Sequence, residues 1–141
     1  MARMRRDEWL EFLGEGTRTA KLATSRADGR PHVAPVWFVL DGEALLFTTG
    51  RDTVKGRNLR RDPHVALCVD DDTPPFAFVL VEGVATVSEE LAQVRRWATV
   101  IGGRYMGADR AEEFGARNGV PGELLVRVSP TRVLAEKAVA D

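Results

Sequence analysis

Five basic side chains, Arg51, Lys55, Arg57, Arg60 and Arg61, fall within eleven residues of a chain whose formal net charge is only −1. Charge gathered so locally suits a small anion better than a nucleic acid or an anionic membrane surface, because those partners select for net positive potential. The run follows the strand-like "FTTG" of residues 47–50, where Gly50 makes the turn. Asp52 and Thr53 are both residue types that cap a helix start. A helix beginning there offers free backbone N–H groups, flanked by the hydroxyls of Thr48, Thr49 and Thr53 and by Lys55 one turn in. Together these are the parts of a site for one phosphate group. The same residues fit a solvated basic helix face equally well, and Asp52 opposes an anion unless its side chain turns back as the cap.

A second feature lies in "HVAPVWF". Pro35 interrupts an otherwise regular strand pattern and has no N–H for a ladder, which implies a sheet edge or a bulge. At a bulge the neighbouring N–H groups of Val36 and Trp37 are free to meet the carbonyls and ring nitrogens of a flat heterocycle, with Trp37 or Phe76 as a wall. The plainer reading makes Pro35 an edge protector and the aromatics core. No other constellation stands out. His32 and His64, the only histidines, form no metal spacing and pair with no cysteine. Cys68, alone within an apolar run, reads as a buried inert thiol. No nucleophile triad, acid–base pair or metal site is expected.

The elements that must position these residues are mostly strands. "RDEWLEFLGEG" reads as a short opening helix. "TAKLATS", "HVAPVWFVL" and "EALLFTT" follow, joined at Asp28-Gly29 and Asp41-Gly42, the pairs that favour tight hairpins, and are expected to form a three-stranded meander. A short helix spans about 52–60. "VALCV" and "FAFVLVEGVATV" add two strands, and "ELLVRV" with "RVLA" closes the sheet. One long amphipathic helix runs from Glu89 through Leu91, Val94, Ala98, Ile101 and Tyr105, with 102–119 read largely as loop. The pattern is that of a single domain over residues 1–141, mainly β, with about six antiparallel strands in a small closed or split barrel and short flanking helices. No apolar run reaches the ~20 residues of a membrane span, and no signal peptide is evident, so a cytoplasmic location is expected.

The stretch from "TAKLATS" to "VEGVATV", above all "GRPHVAPVWF" taken with "KGRNLRRDP", resembles the pyridoxamine 5′-phosphate oxidase-like superfamily and its FMN-binding split β-barrel. Within it the chain is similar to the actinobacterial branch of deazaflavin-dependent oxidoreductases that use coenzyme F420. "GGRYMG" and "ELLVRVSPTRVLA" extend the likeness from about Trp9 to Ala135. The resemblance implies a homodimer with the cofactor in a groove between protomers. It implies phosphate contacts at Thr48, Thr49, Gly50, Thr53 and Lys55, with Asn58 supporting the turn. Ring contacts fall on Pro35, Val36 and Trp37, with Phe76 nearby. The activity implied is hydride transfer from reduced F420 to a quinone, an enone or a tetrapyrrole-like molecule. FMN-dependent chemistry on the same fold, or cofactor binding without catalysis, are the alternatives, and neither nucleic acid nor membrane is an expected partner.

Overall fold

Alternating inward and outward residues build the larger share of the regular structure as strands. In the computed structural model, which describes residues 1–141, these are β1 (Ala2–Arg3), β2 (Ala20–Ser25), β3 (Pro31–Val36), β4 (Val39–Asp41), β5 (Ala44–Gly50), β6 (His64–Asp71), β7 (Ala77–Ser88) and β8 (Glu123–Lys137). Four helices are interspersed: α1 (Arg6–Gly14), α2 (Val54–Arg61), α3 (Leu91–Met106) and α4 (Ala111–Asn118). All pairings are antiparallel, in the order β3-β2-β6-β7-β8-β5-β4, with β1 on the free end of β8. The mainly β split barrel expected from the sequence is present. It has eight strands rather than about six because the two-residue β1 and the three-residue β4 leave almost no period-2 signal.

Chain connectivity explains why the barrel is split. β3 and β4 are the opposite edges of the sheet, yet only Trp37 and Phe38 separate them in sequence. The sheet must therefore curl until its edges adjoin, and no ladder closes the seam. This corrects two sequence expectations. "HVAPVWFVL" is not one strand but two that cross the seam, and β3 does not pair with β5, so there is no meander. Each Gly-containing hairpin forms as expected, at Asp28-Gly29 and Asp41-Gly42, but on opposite edges. "ELLVRV" and "RVLA" are likewise one long strand, with a register irregularity opposite Glu82/Gly83 that bends it around the barrel.

The barrel interior is filled by inward residues of these strands, among them Leu22, Phe47, Leu67, Val81 and Val126, all fully buried. Trp9, Phe12 and Leu13 of α1 join the same core. Outside the sheet, Val94 and Ile101 of α3 pack on Val39, Leu46 and Leu125. The middle of the helix's apolar face is thus covered by its own chain, while Leu91 at its start is 45% exposed. α4, in a stretch whose sequence reads largely as loop, lies against α3 at a distance only glycine permits: a Cβ on Gly102 would sit 2.5 Å from the Cβ of Phe114, and one on Gly115 would collide with the Thr99 hydroxyl. Arg104, near the end of α3, ties the α1 turn to the seam. Its guanidinium donates to the carbonyls of Leu13 (2.7 Å), Gly16 (3.0 Å) and Phe38 (2.7 Å) and lies over the rings of Phe38 and Tyr105. No helix is long and apolar enough to cross a membrane.

Candidate functional site

The seam carries a cavity of about 270 Å³. Pro35, Val36 and Trp37 form one wall, Thr48 of β5 and Lys55 of α2 the second, and Ala98 and Ile101 of α3 the third. Asn118 at the end of α4 and Glu123 at the start of β8 complete the lining. Residues up to 88 positions apart therefore converge on one concave site (Pro35 to Glu123), which no local pattern encodes.

Local structure explains the Lys55 wall. β5 ends at Gly50, and Thr53 caps α2: its hydroxyl donates to the Gly50 carbonyl (2.7 Å) and accepts from the Gly56 N–H (3.1 Å). The cap sets the helix start directly against the strand end. Gly56 is required there, because any Cβ would be driven into the Gly50 carbonyl oxygen. Helix geometry leaves the Val54 and Lys55 amides without an intrahelical acceptor, so this terminus retains donors and partial positive charge. Thr48 and Thr49 alternate, Thr48 into the cavity and Thr49 into the interior, 4% exposed with its Oγ1 3.3 Å from that of Thr53. Asn58, 3% exposed, anchors α2 to β2 by donating from Nδ2 to Thr24 Oγ1 at 3.0 Å.

The basic run divides by role. Arg51 pairs with Glu89 at 2.8 Å, Arg60 donates to the Arg51 carbonyl, and Arg61 donates to the Ser25 carbonyl and Asn58 Oδ1. Lys55 has no hydrogen-bond or ion-pair partner of its own and is the one basic residue lining the cavity. Asp52, exposed, neither caps the helix nor reaches the cavity.

At the opposite wall, of the two readings of Pro35, sheet edge or bulge, the edge holds and there is no bulge. Pro35 lies in regular register with Lys21 on the edge strand, which tolerates a residue lacking an N–H. Trp37 stacks on Tyr105 with centroids 5.0 Å apart and planes within 4°. The Tyr105 hydroxyl donates to the Arg18 carbonyl (2.8 Å) and accepts from the Phe38 N–H (3.2 Å), and burial pushes the phenol up from its usual range. Phe76 stands apart from this group: 41% exposed and left-handed at φ 69°, it precedes β7 and does not line the cavity. His32 is outside the lining too, and His64 is held by Asp62 at 2.9 Å.

Ala98 and Ile101, which the sequence gives only as apolar positions of the long helix, and Asn118 and Glu123 are lining residues outside the site read from the sequence. The signal for Glu123 was a carboxylate placed directly between a Pro-Gly turn and an apolar strand; Asn118, within "RNGVPG", reads as ordinary loop. Burial raises the Glu123 carboxyl above the usual carboxylate range, and the nearby Lys55 charge offsets part of that rise. A larger concavity, about 440 Å³, lies on the exposed sheet face between β2, β6 and β7, with Glu82 and His64 at its margin, and lacks the cation and helix start of the seam site.

A family model described as pyridoxamine 5′-phosphate oxidase matches residues 6–137. Among solved structures, a conserved hypothetical protein from Mycobacterium tuberculosis is 28% identical, with a TM-score of 0.83 over 96% of this chain and 86% of that one. An F420 reductase is 30% identical, with a TM-score of 0.69 over 87% of this chain and 94% of its own. The haem storage protein HutZ from Vibrio cholerae is 20% identical, with a TM-score of 0.73 over 98% of this chain and 100% of its own, a likeness of fold alone.

Proposed function

The chain belongs to the pyridoxamine 5′-phosphate oxidase family, and from that premise we propose that it is an oxidoreductase that uses reduced coenzyme F420 to reduce an unsaturated small molecule such as a quinone, an enone or a tetrapyrrole-like compound. The observation that carries the reading is the convergence of Pro35, Val36 and Trp37 on Thr48 and Lys55 in one cavity. A phosphate-bearing flat ring needs both halves of that arrangement. The 30% identity to an F420 reductase favours the deazaflavin over FMN.

The residues fit such a group. Lys55, the Thr48 hydroxyl and the amides that open α2 would hold the phosphate, and Pro35–Trp37 would flank the ring. The hydroxyl of Thr53 is engaged in the cap, so its part is to fix the helix start. When bound, the reduced deazaflavin supplies a hydride from its ring carbon. The chain's own work is then orientation and exclusion of water: Trp37, buttressed by Tyr105, and the α3 residues Ala98 and Ile101 give an apolar wall. Tyr105 is a strut here rather than an acid, because its hydroxyl is committed to Arg18 and Phe38.

The reading includes a homodimer. At about 270 Å³ the cavity lies below the roughly 300–1,000 Å³ usual for small-molecule sites, so a second copy would cover the rest of the cofactor. Cys68, Leu80 and Leu134 lie side by side on the outer sheet face, and Val33, 67% exposed, shares its side of β3 with Pro35. Lys21 of β2, paired with Asp70, stands between Cys68 and Pro35, so the apolar surface reaches the cavity rim along Ala66, Ala23 and Val33, and a partner seated there would reach the site.

Titration of the purified protein with F420 and with FMN, followed by tryptophan fluorescence, tests the cofactor. Tighter binding of FMN would reverse the order. A charge-assisted contact contributes about 1.5–3 kcal/mol, so Lys55→Ala should weaken binding about 10- to 150-fold, while Arg57→Ala, an exposed neighbour without a partner, should change it little. Equal small losses in both would leave the run as a solvated basic face.

A further inference from the structure

Glu123 is an acid in a site built for an anion, and its position gives that conflict a consequence. It pairs with Gly50 across the β5–β8 ladder. Because Gly50 has no side chain, the Glu123 carboxylate lies over the turn that starts α2: a Cβ on Gly50 would be 3.3 Å from Glu123 Oε2 and 3.2 Å from the Thr53 methyl. The carboxylate has no hydrogen-bond partner and no ion pair within 4 Å, although it lines the same cavity as Lys55. No other ionisable side chain faces it there: β5 contributes Thr48, the seam Trp37, α3 Ala98 and Ile101, and α4 Asn118. Arg51, the nearest other cation in sequence to the turn, is held by Glu89 at 2.8 Å.

With Glu123 ionised, its charge and that of Lys55 cancel, and a phosphate entering the cavity would meet a carboxylate beside it. With Glu123 protonated, the site carries the full Lys55 charge and gains an O–H donor aimed at an acceptor-only ligand. We propose that Glu123 makes this site proton-linked: a phosphate-bearing ligand binds with Glu123 protonated and donating to a phosphate oxygen, the proton being taken up from solvent on binding. The inference rests on the cofactor reading above and adds to it the residue that sets the pH dependence of affinity. Burial already biases the group toward its neutral form, and the ligand's negative charge biases it further.

The sign of the linkage follows. Since the complex holds one more proton than the free protein, affinity falls as pH rises through the window between the free and bound Glu123 values, approaching about tenfold per pH unit. Glu123→Gln keeps the shape, is neutral at every pH and donates from its amide. It should flatten the profile and bind more tightly than wild type at high pH.

The test is calorimetric titration of the full chain with F420 and with FMN from pH 5 to 9, in two buffers of different ionisation enthalpy, for wild type and Glu123→Gln. Comparing the two proteins with one ligand cancels any titration of the ligand itself. Proton uptake by wild type that is absent in Glu123→Gln is the expected result. No uptake by wild type beyond the ligand's own, a measurement that needs no variant, would overturn the inference while leaving the cofactor reading intact. So would a Glu123→Gln variant weaker than wild type at every pH. Binding of neither probe by wild type would overturn the cofactor reading and this inference with it.

Discussion

Replacing Gly56 with alanine sets two opposing effects against each other, and the structure decides between them. Alanine in a helix interior is favoured over glycine by about 1 kcal/mol, so an unobstructed site would be stabilised. Here the added methyl would collide with the Gly50 carbonyl oxygen and lie 3.0 Å from that of Arg51. Both obstacles are backbone, unable to swing aside, so relief requires α2 to move off the end of β5. That motion strains the bond from the Gly56 N–H to the Thr53 hydroxyl, now 3.1 Å. Overpacking of this kind costs about 1–3 kcal/mol or somewhat more, which outweighs the propensity gain and leaves a net loss of about 1–2 kcal/mol. For a chain of this size that is roughly 3–8 °C in Tm. Displacing α2 also carries Lys55 away from Thr48, so cofactor affinity should fall at the same time, by about tenfold for one lost charge-assisted contact. Circular-dichroism melts and fluorescence titration of the same sample measure both. A variant as stable as wild type, or more so, would refute the close approach of α2 to the strand end and with it the origin of the Lys55 wall.

Two further outcomes concern parts of the molecule outside that wall. Arg104→Met retains an unbranched apolar stem but leaves the Leu13, Gly16 and Phe38 carbonyls without their donor, so it should destabilise by about 2–4 kcal/mol in urea unfolding, with Arg104→Lys recovering only part because one ammonium cannot span three acceptors; a loss under about 0.5 kcal/mol would reduce Arg104 to a surface residue. Leu80→Arg puts a charge at the centre of the outer sheet face, between Cys68 and Leu134, and should convert a dimer to a monomer in sedimentation equilibrium while leaving the melting of the barrel nearly unchanged; a wild-type protein that is already monomeric at micromolar concentration would dispose of the shared groove.

What the sequence determined by itself was local. The period-2 runs marked the strands, Asp28-Gly29 and Asp41-Gly42 marked the two hairpins, and the Thr-rich strand end followed by a lysine marked a helix start, because turn chemistry, capping and alternation act over a few residues. The resemblance of "GRPHVAPVWF" and "KGRNLRRDP" to one family carried the fold beyond those local signals. Tertiary structure decided the rest. That β3 and β4 sit at opposite edges depends on which strands β2 and β5 accept as second neighbours, β6 and β8, and pairing partners distant in sequence leave no periodic trace in either strand. The same long-range pairing opposes Glu123 to Gly50 and so puts a carboxylate in the cavity that Lys55 lines. α4 is hidden in the sequence because Gly115 and Gly119 interrupt a short polar segment, whereas in the fold the side chains missing at Gly102, Gly115 and Gly119 are what let two helices touch. Of five clustered cations, only the packing shows which is left facing the cavity: Arg51 finds Glu89, Arg60 and Arg61 find carbonyls, Arg57 is unpartnered but points to solvent, and Lys55, also unpartnered, lines the cavity. A charge in a sequence is fixed by its residue type, but its availability to a ligand depends on every partner that folding brings within reach of it.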